Sequence, residues 1–141
     1  MHIDTVLDFV VEYPLSWHKE RRLTYGSTDG EVRWTHPEHP ATLLLIKSSA
    51  KKPSVTSLAE QVEEALQGYT GWRISKEEKL TIPAGDAWHI TGQTTHNDVN
   101  IYLILHSERN YLIALTTSQG SIDVYQGLMG RVLPSFQIMT Q

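Results

Sequence analysis

Polar and apolar residues alternate in short runs over most of the chain, and two stretches change to helical spacing. In Phe9-Val10-Val11-Glu12-Tyr13, residues Phe9, Val11 and Tyr13 fall on one face of a strand. Pro14 removes a ladder donor and turns the chain, which places Trp17 to cover the strand end. Arg22 to Tyr25 and Glu31 to Trp34 are predicted short strands around Ser27-Thr28-Asp29-Gly30, where Asp-Gly is a hairpin signal. Thr42 to Ile46 is apolar at consecutive positions, so a strand covered on both faces is expected, with Leu45 in the core. Ser48 to Thr56, with Lys51, Lys52 and Pro53, reads as an exposed loop.

The first helical stretch opens on Ser57-Leu58-Ala59-Glu60, which fits a capping box. Leu58, Val62, Ala65 and Leu66 form its apolar stripe, Glu60, Glu63 and Glu64 its solvated face, and Gly68 its stop. Arg73 to Ile82 is long and charged, which suits a sheet edge, and Ile82-Pro83-Ala84-Gly85-Asp86 is a tight turn. Ala87 to Thr94, Asn100 to His106 and Tyr111 to Thr117 then read as a meander. The last two are apolar on both alternating faces, so helices are expected on both sides of the sheet. The final helix opens on an N-cap at Ser121, with Ile122, Tyr125, Met129, Val132, Leu133 and Phe136 as its apolar stripe and Pro134 marking the end of regular helix. Gly127 and Gly130 lie on one face of it and each costs the helix about 1 kcal/mol relative to alanine.

Composition narrows the class of molecule. A single domain of 141 residues buries roughly two thirds of its unfolded surface, enough for a core without staples. The absence of cysteine excludes a disulfide scaffold and a thiol nucleophile. Twelve basic and sixteen acidic residues leave a net charge of −4 with no charged block, which counts against nucleic acid and anionic membrane surfaces as partners. The run Leu43 to Ile46 is far too short to span a bilayer. Residues 1 to 8 carry no signal-peptide pattern, so the expectation is a cytoplasmic protein if Met1 is the native start and an extracytoplasmic one if a signal or lipoprotein segment was removed.

Phe9-x-Val11-x-Tyr13-Pro14-x-x-Trp17, the Ser57 capping helix, the Ile82-Pro83-Ala84-Gly85-Asp86-Ala87 turn and the closing Val132-Leu133-Pro134-Ser135-Phe136 occur in an order and spacing that resemble the PsbP-like domain family. That family takes in the photosystem II extrinsic protein, bacterial lipoproteins, the Ran-binding import factor of yeast and chaperones of type VI secretion effectors. The resemblance implies an α+β fold, an α/β/α sandwich with a mainly antiparallel central sheet, as a single domain over residues 1 to 141. It also implies docking onto another macromolecule in place of catalysis.

Motifs for chemistry are sparse. No G-x-S-x-G elbow and no phosphate-binding loop occurs, and Gly120-Ser121 is better used as a helix cap than as a nucleophile. His36-Pro37-Glu38-His39-Pro40 offers zinc or copper ligand types, but the prolines leave their convergence unspecified, so a solvated loop is the favoured reading. His89 and His106 within strands are read as hydrogen-bonded or half-exposed packing residues and not as ligands. Trp34 has two readings, a buried ring and an exposed interface aromatic. Burial is favoured, and Trp34 is kept with His36, His39, Gly127 and Gly130 as the candidate partner-contact residues. The expected function is a non-catalytic protein-binding or scaffolding domain with no cofactor or metal, acting as a monomer or weak homodimer. The alternatives are a secretion-effector chaperone or adaptor, and a small metal-binding or hydrolytic protein using His36 and His39.

Overall fold

A computed structural model describes residues 1–12, 16–24, 29–50, 73–105 and 109–139. Among the described residues seven strands form the main sheet: β3 (His18–Leu23), β4 (Gly30–Thr35), β5 (Leu43–Ala50), β6 (Arg73–Ile82), β7 (Gly85–Gln93), β8 (Asn97–Leu105) and β9 (Arg109–Ser118). Their spatial order is β3-β4-β5-β9-β8-β7-β6, and every pairing is antiparallel. A second, three-stranded sheet joins both ends of the chain, with β1 (His2–Asp4) and β10 (Gln137–Ile138) flanking β2 (Phe9–Val11). A short 3₁₀ turn, Ile122–Tyr125, leads into the helix α1 (Gln126–Ser135).

One rung crosses the whole main sheet: Arg21, Val32, Ile46, Ile113, Tyr102, His89 and Glu78 stand opposite one another in register. It is apolar in the middle and charged at each edge, as expected where only central positions can be covered. On this face Trp34, Leu44, Ile46, Tyr111 and Ile113 meet Phe9 and Val11 of the small sheet and Met129, Val132 and Phe136 of the closing segment. Phe136 packs against both Phe9 and Tyr111, with ring centroids 5.6 and 5.5 Å apart. On the opposite face Ile90, Val99, Ile101, Leu103 and Ala114 are buried as a second cluster. The double-sided burial inferred from β8 and β9 is therefore present.

Several expectations are corrected. Residues 51–56 of the predicted loop lie outside the described residues, while Ser48 and Ser49 continue β5 opposite Tyr111 and Asn110, with Ser48 buried. Its hydroxyl donates to the Leu7 carbonyl (3.0 Å) and accepts from Arg109 Nε (2.9 Å), a relay that holds this length of strand in the ladder. Ser121 does not cap with its side chain, and the final element is a 3₁₀ turn before a shorter α-helix that carries Pro134 in its last turn. Leu45 and Trp17 are only half-buried. Leu45 lies beside the second cluster, while Trp17 packs at the margin of the first against His36 and Tyr125. The Pro14 turn, the Ser57 to Gly68 helix and His106 lie outside the described residues.

The small sheet is pinned by a buried carboxylate. Asp4 Oδ1 accepts from the Val6 and Leu7 N–H groups (3.1 and 2.9 Å) and from Arg21 Nη2 (3.0 Å). Its Oδ2 accepts from Arg21 Nε (2.7 Å) and His2 Nε2 (3.2 Å), so β1 is tied to β3 across the two sheets. Asp8, in the left-handed region at φ 61°, turns the chain into β2, and its carbonyl accepts from the Tyr111 hydroxyl (3.1 Å) and the Met139 N–H (2.9 Å).

Candidate functional site

The β4–β5 connection is a closed turn. The His36 N–H donates to the Thr42 carbonyl (3.0 Å), and the Thr42 N–H donates to the His39 carbonyl (2.9 Å). His36 Nδ1 accepts from the N–H groups of Glu38 (3.0 Å) and His39 (3.1 Å), so its ring caps the turn and leaves only Nε2 for any outside ligand. The His36 and His39 rings lie 4.6 Å apart. Among the described residues no three His, Asp or Glu side chains converge as a metal site.

Tyr125 joins this loop to the helix. Its ring meets His36 (6.2 Å) and Trp17 (5.9 Å), while His36 also stands against Trp17 (5.2 Å). The helix begins at the next residue, and Gly127 and Gly130 are exposed on it. The structure thus brings His36, His39 and the glycine-bearing helix into one neighbourhood through Tyr125. It does not bring Trp34 there. Trp34 has 0% exposure, enclosed by the main core and meeting the His2 ring at 5.8 Å, because its alternation with Val32 in β4 points it at the small sheet. As a contact residue Trp34 is withdrawn, and it is a core residue.

Beneath α1 lies a feature that sequence reasoning missed. A cleft of about 340 Å³ separates the helix from β7, β8 and β9. Leu115, Ile122, Met129 and Leu133 supply apolar walls, Tyr125 and Gly130 stand among its lining, and His89, Asn100 and Tyr102 form a polar end. His89 Nδ1 donates to Glu78 Oε1 (3.1 Å), and its Nε2 lies 3.2 Å from Asn100 Oδ1 and 3.3 Å from Thr91 Oγ1. The Thr91 hydroxyl in turn donates to Asn100 Oδ1 (3.0 Å). Tyr102 stacks on the imidazole at 4.2 Å and 7°. The hydrogen bonds from His89 and Lys76 hold the Glu78 carboxyl below its ordinary range, and burial, aided by the Glu78 charge, pushes the Tyr102 phenol above its own. The available signal was the inward polar positions His89, Thr91 and Asn100 in otherwise apolar strands. Only the register, which sets His89 against Tyr102 and Thr91 against Asn100, makes them a group.

No family model matches the chain, and no curated protein matches it. Solved structures do. Cyanobacterial PsbP from Synechocystis sp. PCC 6803 is similar at TM-score 0.69 and 15% identity, over 97% of this chain and 90% of that one. LpqN, described as involved in cell envelope biogenesis of Mycobacterium tuberculosis, is similar at TM-score 0.61 and 11% identity, over 94% and 83%. A Bacteroides thetaiotaomicron structure is similar at TM-score 0.55 and 10% identity, where this chain spans 48% of the other's length. Among the described residues no helix is long and apolar enough to cross a membrane. The antiparallel sheet, the helix closing on its inner face and these neighbours together identify the fold of this chain as that of a PsbP-like domain.

Proposed function

We propose that the chain is a non-catalytic protein-binding domain of the PsbP-like type. Its contact surface is the exposed face of α1 at Gly127 and Gly130 with the adjoining His36 to Pro40 loop. The observation that carries this reading is the pair of glycines. Neither has a positive φ, and among the described residues a Cβ at either position would meet nothing within 4 Å, so neither turn geometry nor packing against the described residues accounts for them. Each nevertheless costs about 1 kcal/mol of helix stability relative to alanine. A bare strip of helix backbone allows another chain to approach closely, and the His36, His39 and Tyr125 rings at one end add aromatic contact area of the kind that anchors interfaces. The PsbP-like fold supports the reading, since docking onto a macromolecule is what the resemblance implies.

The test uses Gly127→Arg, which fills open space, and His39→Ala, which removes an exposed ring. Both are expected to melt within a few degrees of the parent and to lose a protein that the parent captures from its source organism. Capture undiminished in both variants would overturn the proposed surface. Turnover of a substrate that persists through rigorous purification would overturn the non-catalytic reading.

A further inference from the structure

The cleft beneath α1 has a size, a polarity gradient and a set of unfilled hydrogen-bond positions, and together these define a ligand. At the ~30 Å³ that a water-sized group occupies, its volume of about 340 Å³ admits about ten to a dozen heavy atoms, within the range of small-molecule sites. Leu115, Ile122, Met129 and Leu133 line the body of the space, and the polar groups are gathered at His89, Asn100 and Tyr102.

The donor and acceptor inventory at that end is asymmetric. Asn100 Oδ1 already accepts from Thr91 and faces His89 Nε2, and His89 Nδ1 is committed to Glu78. Among the described residues the Asn100 Nδ2 amide and the Tyr102 hydroxyl take no partner. What remains open is two donors, the Asn100 amide N–H and the Tyr102 O–H, which a single acceptor on the ligand takes together, with the phenol oxygen free to accept besides. Charge restricts that acceptor further. Among the described residues no lysine or arginine lines the cleft and the His89 ring is already engaged by Glu78 and Asn100, so an anion would find no free counterion and would stand close to the Glu78 carboxylate. A cation would find Asn100 Oδ1 occupied and Glu78 engaged by His89 and Lys76. The way in is at Gly130, where among the described residues a Cβ would touch nothing.

We propose that this cleft binds a small neutral amphiphile, an amide, ester or ketone whose carbonyl oxygen accepts from Asn100 Nδ2 and Tyr102 while its apolar body lies against Leu115, Met129 and Leu133. This goes beyond the docking surface, with which the cleft mouth shares Gly130, and its test needs no protein partner.

Phenylbutanamide is the probe, with phenylbutyrate and phenylbutylamine as anionic and cationic matches of nearly the same size. Each is titrated into the nitrogen-15-labelled full chain while amide resonances are followed. Phenylbutanamide is expected to shift the resonances of His89, Asn100, Met129 and Gly130 saturably, and both charged homologues to bind about tenfold more weakly or not at all, the effect of an unpaired charge or a missing acceptor. Gly130→Leu, whose side chain grows into open space at the entrance, is expected to abolish the shifts in a folded protein. Asn100→Asp, which turns the free donor into an acceptor, is expected to weaken binding by about tenfold. Absence of saturable shifts with phenylbutanamide, equal affinity for the charged homologues, or binding indifferent to Gly130→Leu would overturn the proposal.

Discussion

Replacing Asp4 by asparagine removes one charge from the interior and almost no volume. The Asp4 side chain has no exposed surface and accepts from Val6, Leu7, Arg21 and His2. Asparagine keeps an oxygen for the two backbone N–H groups but sets an amide NH₂ against Arg21 Nε–H, and it leaves the guanidinium without its counterion. Breaking a fully buried pair costs about 3–5 kcal/mol. Arg21 is 38% exposed and water recovers part of that loss, so about 2–4 kcal/mol is expected. At about 2–4 °C per kcal/mol for a chain near this size, the melting temperature falls by about 4–16 °C. The pH profile carries an independent signature. Burial pushes the Asp4 carboxyl up, but the hydrogen bonds from Arg21, Leu7 and His2 outweigh it and hold the group far below its ordinary value of 3.8. The unfolded chain therefore takes up the proton first, so the contribution is complete above that value and is lost progressively as pH falls beneath it. Burial lowers His2 below 6.5 and adds a decline of the same sign that begins earlier. Urea unfolding at about pH 7, 5 and 3 is expected to show the parent losing stability toward acid and Asp4→Asn losing less over the last interval. A variant within about 1 kcal/mol of the parent at neutral pH, or an unchanged acid slope, would refute the clamp.

Trp34→Ala is expected to cost about 3–5 kcal/mol by emptying the main core, and Leu45→Ala distinctly less, about 1–2 kcal/mol, because that leucine is half-buried. Equal losses in chemical denaturation would contradict their assigned environments. Gly127→Ala and Gly130→Ala are each expected to raise stability by about 1 kcal/mol, since the added methyl meets nothing and the helix gains propensity. A lower melting temperature for either would mean that the glycine serves a contact within the chain.

The sheet was legible wherever inward positions were apolar. Val32 and Trp34, Ile101 and Leu103, and Tyr111 and Ile113 each keep strict alternation, and each pair points where its period of two sends it. The first strand inverts that rule. His2 and Asp4 point inward and Ile3 is 59% exposed, so a pattern search discards a strand whose interior side is held by hydrogen bonds and an ion pair. The last strand escaped for another reason, since two residues after a helix carry too little pattern and only pairing with Val10 and Phe9 defines them. At the candidate surface, the odd placement of Gly127 and Gly130 and the ligand types of His36 and His39 were visible in the chain, but their meeting at Tyr125 depends on where the 3₁₀ turn sets that ring. The cleft was invisible as a unit, because His89, Asn100 and Tyr102 become neighbours only through the β7–β8 register.

The small sheet also sets a timetable. Phe9 and Val10 find their β10 partners, and the Glu12 N–H finds Ser135 Oγ, across a separation of 123 residues in the last case. On a ribosome the opening segment thus emerges long before the strand and hydroxyl that complete it, and Phe9 waits for Phe136 with its apolar face uncovered. Closure of this seam is a long-range event that must follow emergence of Phe136 and Ile138, and such closures are slow because distant segments must meet before any contact compensates for their lost freedom. The interval before closure is when a nascent chain of this kind is most exposed to mispairing with another copy, and a chaperone that masks Phe9 and Val11 would act within it.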